Sequence, residues 1–139
     1  MGHKKLILSC VLAVSSQWAV AASMSAPGAS VFIVEPADGA TVSSPVTVKF
    51  GVKGMEIAPA GTDKSNSGHH HLFVDDAKMP AMDMPLAKDD THQHFGKGQT
   101  ETSLTLAPGK HTLQLYLGDK DHVLHKPALV SKKITITVK

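Results

Sequence analysis

Histidine is where this sequence concentrates its chemistry. The chain holds nine histidines in 139 residues, and all but His3 lie beyond residue 21. They are grouped as His69-His70-His71, His92-Gln93-His94 and His122-Val123-Leu124-His125, with His111 apart. Neutral imidazole is the commonest protein ligand for copper and zinc. Residues i and i+2 of a strand share a face. His69 can therefore meet His71 at one ion, and His92 can meet His94 in the same way. His69, His71, His92, His94, His122 and His125 are the candidate metal ligands. His70 is in phase with Leu72 and Val74 and is expected to point inward. His111 is in phase with Leu113 and Leu115 and is expected to pack and hydrogen-bond at a corner of the fold. Because ligand imidazoles must be neutral, metal uptake is expected to fail as the pH falls through about 6.5.

A second feature is Met79-Pro80-Ala81-Met82-Asp83-Met84, three thioethers within six residues. Thioethers select Cu(I), and histidine accepts Cu(I) or Cu(II). Copper is thus the first expectation and zinc the alternative. Methionine also fills irregular gaps in packing, which is the plainer explanation. Asp75, Asp76, Asp89, Asp90, Asp119 and Asp121 are available to orient imidazoles from behind.

The elements that position these residues are strands. Apolar residues alternate at Val46, Val48, Phe50 and Val52, at Leu113, Leu115 and Leu117, and at Ile134, Ile136 and Val138. That is the period of half-buried strands. Pro36-Ala37-Asp38-Gly39, Ser44-Pro45, Pro108-Gly109 and Gly118-Asp119 punctuate them as turns. Strands are predicted near 31–35, 46–53, 69–75, 92–95, 101–107, 111–118 and 132–138. Seven short strands in about 110 residues predict an all-β, immunoglobulin-like antiparallel β-sandwich. In that connectivity the third strand starts where the sixth finishes, so His69, His71, His94 and the His122/His125 loop converge at one pole. His111 falls at the other.

The ends and the composition narrow the function. Met1-Gly2-His3-Lys4-Lys5, the apolar run Leu6 to Val14 and the site Ala19-Val20-Ala21 form the three-part pattern of a secretory signal. A lipoprotein reading of Ile7-Leu8-Ser9-Cys10 would leave almost no apolar segment before the cut. The expected organisation is a signal peptide over 1–21, a flexible leader over 22–30 and the sandwich over 31–139, in the periplasm or outside the cell. The one cysteine, Cys10, falls within the signal, so the exported part has neither disulfide nor thiolate. No later segment is long and apolar enough for a transmembrane helix. All 14 basic residues are lysine and the net charge is +2. The absence of the arginine fork, with no basic cluster, argues against nucleic acid.

Gly68-His69-His70-His71-Leu72-Phe73-Val74-Asp75, His92-x-His94-Phe95-Gly96-x-Gly98-Gln99-Thr100-Glu101, Pro108-Gly109-x-His111-Thr112-Leu113-Gln114-Leu115 and Leu117-Gly118-Asp119-x-x-His122-x-x-His125-x-Pro127 together carry a resemblance. The pattern, over roughly 31–139, resembles a family of small exported bacterial domains of unknown function, which implies no activity. The element Gly68 to Asp75 also looks like one found in other exported immunoglobulin-like domains. A small sandwich bearing histidine and methionine is similar in kind to bacterial copper carriers. The expected function is an exported metal-binding protein, a copper carrier or buffer, with a protein partner for delivery left open. A copper-dependent, superoxide dismutase-like redox enzyme and an adhesion or assembly module are the alternatives.

Overall fold

The computed structural model describes residues 22–139, so the proposed signal peptide lies outside the described residues. It is all-β. The strands are β1 (Ser30–Glu35), β2 (Thr41–Val42), β3 (Val46–Lys53), β4 (Glu56–Ile57), β5 (Ser67–Val74), β6 (His92–His94), β7 (Glu101–Leu104), β8 (Gly109–Gly118) and β9 (Ile134–Val138). One sheet has the order β1-β3-β7. The other has the order β2-β9-β8-β5-β4, with β6 also paired to β5. The pairings of β1 with β3, β3 with β7, β5 with β8 and β8 with β9 are antiparallel, as a sandwich of immunoglobulin type requires.

Two details depart from the alternation. β2 runs parallel to β9 and β4 parallel to β5, each over two residues, too short to leave a periodic signal. The strand expected at 92–95 pairs with β5. It therefore extends the sheet that carries the histidines, and the His-x-His of β6 lies beside the His-x-His of β5.

The core between the sheets is built from the alternating positions. Val46, Val48 and Phe50 of β3 face Leu72 and Val74 of β5, Leu113, Leu115 and Leu117 of β8 and Ile134, Ile136 and Val138 of β9. Burying a side chain of this size contributes about 1.5–3 kcal/mol, so these rows account for the cohesion of the two layers. Every residue of β5 is buried, on both faces. Its inner face meets the core. Its outer face carries a second small cluster, Phe73 and Tyr116 with Leu86 and Leu124 from the loops after β5 and β8. These loops roof the outer face, and the metal-ligating residue types lie beneath the roof.

Candidate metal centre

The register places the histidines. His71 pairs with His94 of β6 on one side and with Tyr116 of β8 on the other, while His69 pairs with Gly118. His69, His71 and His94 therefore share the outer face. His122 reaches them from the loop after β8. One nitrogen from each of His69, His71, His94 and His122 lies within 4.8 Å of all the others. His71 Nε2 is 2.9 Å from His69 Nε2, and His69 Nε2 is 3.0 Å from His122 Nδ1. The His94 ring sits 5.0 Å from those of His69 and His71 and 4.7 Å from that of His122, centroid to centroid.

Two glycines make room for this convergence. A Cβ at Gly118 would stand 2.9 Å from His71 Nε2, and one at Gly96 would clash with His94 Cε1. The loop carrying His122 is pinned by Asp119. Its buried carboxylate accepts hydrogen bonds from the amides of Asp121 and Val123 on Oδ1, and from the amide and hydroxyl of Ser23 on Oδ2. Its carbonyl accepts from His122 N. Burial opposes ionisation of Asp119, but these donors outweigh it and hold its carboxyl below the usual range. Within this frame His122 adopts φ 66°, a left-handed conformation uncommon for a residue with a Cβ.

The cluster cannot satisfy itself with protons. An imidazole nitrogen carries either one hydrogen or one lone pair. His69 Nε2 faces two ring nitrogens at bonding distance, so in the neutral state only one of the two contacts can be a sound hydrogen bond. Charging the rings is opposed as well. Burial, then the nearby His122 and His94, push His69 down to about 4. Burial, then His69, His94 and His122, push His71 down to about 2. Burial, His122 and Lys88 lower His94. Nδ1 of His69, Nδ1 of His71 and Nε2 of His94 are buried without a partner. A cation between Nε2 of His69, Nε2 of His71 and Nδ1 of His122 would turn these crowded nitrogens into ligands, while Nδ1 of His69 and of His71 would carry the hydrogen of each neutral ring. An ion bonded to four tetrahedral nitrogens at 2.0–2.1 Å separates them by about 3.4 Å, so the close pairs need open by only a few tenths of an ångström. The residues fit a nitrogen-coordinated metal ion. His94 and His122 are half-buried, and His94 also lines a shallow cleft with Lys88, Asp89, Asp90, His92 and Gln93. Solvent thus has a path to the cluster.

His92 and His125 stand outside this group. His92 shares the face of β6 but packs edge-on against Phe73, with Asp76 at its Nε2 and Asp89 at its Nδ1. Burial works against its protonation, but the two carboxylates prevail and its pKa is raised. The buried ring of His125 lies 3.0 Å from the Ser67 carbonyl oxygen through Nε2 and 3.4 Å from that of Leu117 through Nδ1. His70 points inward, its ring 5.1 Å from that of Phe50. His111 stands at the opposite pole, bonded to Asp75 and to the Ala107 carbonyl oxygen. Of the aspartates singled out as orienters, none bonds a ring of the four-histidine group. Asp119 acts on the backbone instead.

No curated protein and no solved structure gives a significant match to the chain. A family model does match, over residues 48–139, from within β3 to the last residue. That span includes all four clustered histidines and leaves out β1. The chain belongs to the family described as domain of unknown function DUF4399.

Proposed function

We propose that this is an exported metal-binding protein that carries or buffers copper in the periplasm, with His69, His71, His94 and His122 as the ligands. The observation that carries the reading is the convergence of four imidazoles, with His69 Nε2 facing two ring nitrogens that cannot both be satisfied by protons. An all-nitrogen set suits Cu(II), Cu(I) or Zn(II) and disfavours calcium or magnesium, which prefer oxygen. The thioethers at 79–84 favour copper over zinc. A path from solvent to two of the four rings suits an ion that must be taken up and passed on. The test is elemental analysis of untagged protein from its native compartment, followed by copper and zinc titration of the parent, His71→Ala and His122→Ala. One histidine-bound copper per chain, with at least tenfold weaker binding of that ion in both variants, is expected. Protein that carries no copper and gains none on titration would end the proposal. Superoxide and peroxide assays on the loaded protein distinguish a carrier from a redox enzyme using the same ligands.

A further inference from the structure

The loop between β5 and β6 carries Met79, Met82 and Met84, and packing does not explain them. They are 59 %, 40 % and 59 % exposed, whereas Leu86 of the same loop is 6 % exposed and closes the outer cluster. The loop thus has an apolar place to bury a side chain and gives it to leucine. Gap-filling, the ordinary use of methionine, requires burial. Three unbranched apolar side chains are instead held in solvent within one short segment. The chain turns at Met82-Asp83, and residues two apart have Cα atoms within about 7 Å, so Met82 and Met84 leave one short turn of backbone. Met84 is two residues from Leu86, whose amide donates to the carbonyl oxygen of His122 at 2.8 Å. The methionine segment is therefore fastened to the residue that completes the histidine cluster. At its other side Met79 Sδ lies 3.8 Å from the Tyr116 hydroxyl, and Tyr116 is the register partner of His71.

We infer that Met79, Met82 and Met84 form a second metal site, a solvent-facing thioether platform for Cu(I) that is separate from the histidine cluster and attached to its rim. Thioether sulfur is a soft, uncharged donor that selects Cu(I) over harder divalent ions. Binding is the formation of sulfur–copper bonds without electron transfer. Because thioethers do not titrate, the platform keeps its ligands at pH values where imidazoles are protonated. The inference rests on the copper reading for the identity of the ion and on the exposure of the loop for the site.

The test uses Ag(I), a redox-inert probe of Cu(I) sites, on protein labelled at the methionine methyl groups and first loaded with Zn(II). The Met79, Met82 and Met84 resonances should move together and saturate near one equivalent. Exposed Met24 and packed Met55 should stay in place. The variant Met79→Leu/Met82→Leu/Met84→Leu should bind Ag(I) at least tenfold more weakly and Zn(II) as the parent does. Movement of Met24 in parallel with the three would reduce the platform to generic exposed thioethers and overturn the site. Unchanged Ag(I) affinity in the triple variant would overturn it as well. If Zn(II) fails to bind while the three methyl groups still respond to Ag(I), the histidine reading falls and the platform stands.

Discussion

His71→Leu should separate metal binding from stability. His71 is buried, its Nδ1 has no partner and its Nε2 competes with His122 for His69. Leaving a buried polar atom unsatisfied costs about 1–3 kcal/mol, so removing the ring recovers an amount of that order. The leucine must fit a space shaped for imidazole beside Gly118, a misfit of about 1–3 kcal/mol. The two nearly cancel, and the metal-free variant should lie within about 1 kcal/mol of the parent. Metal behaves differently. At a free concentration one hundred times Kd it stabilises the parent by about 2.7 kcal/mol, roughly 10 °C in Tm for a domain of this size. Losing one ligand in four, taken as about a hundredfold in Kd, leaves about 0.4 kcal/mol at the same concentration, under about 2 °C. Thermal unfolding with and without metal, followed by circular dichroism, reads both numbers. A metal-free variant destabilised by several kcal/mol, or one that keeps the full metal-induced shift, would refute the picture of a frustrated cluster awaiting a cation.

Four further outcomes follow from the geometry. Since burial holds His69 and His71 neutral far below the ordinary histidine range, acid release of metal should have its midpoint below pH 6; complete release by pH 6 would contradict this. The same depressed values make the unfolded chain bind more protons than the fold below about pH 6.5, so metal-free stability should decline from there towards about pH 4, and a flat urea-unfolding profile across that window would count against it. His111→Ala should cost about 1 kcal/mol and leave metal affinity alone; the bond to Asp75 raises the His111 pKa, so the loss should be larger at pH 5.5 than at pH 8.5, and a change in metal affinity would show the opposite pole to be part of the site. Asp119→Ala orphans the amides of Asp121, Val123 and Ser23 and should weaken metal binding about tenfold by freeing the His122 loop; calorimetric titration showing unchanged affinity would leave Asp119 a purely structural role.

The sandwich was legible because most of its strands bury one face. Alternation located β3, β8 and β9, and from their order the pole where His69, His71, His94 and His122 meet. β5 was harder, since both its faces are covered and its sequence does not alternate in polarity. Period two alone nonetheless put His69 and His71 together and His70 on the other side. What sequence could not show was partnership across long separations. His92 has the same spacing credentials as His94, but Asp76 stands at one ring nitrogen and Asp89 at the other. His125 faces two backbone carbonyls, which leave no trace in composition. Gly96 and Gly118 matter because a ring occupies the place of their missing side chains, a fact of packing alone. The expected release of metal near pH 6.5 took an unperturbed histidine, whereas burial and neighbouring imidazoles keep His69, His71 and His94 from charging.

The segment before β1 carries a practical lesson. Ser23 bonds to the carboxylate of Asp119, and the backbones of Ser23 and Ser25 exchange hydrogen bonds with Lys126, so this stretch lies against the loop that presents His122. Any affinity handle fused ahead of it, above all one made of histidines, would place foreign ligands beside the native ones and strain the strut that steadies them. β9 runs to the far pole, where Val138 pairs with Gly109. A purification handle following Lys139 would leave the four imidazoles to report only on themselves.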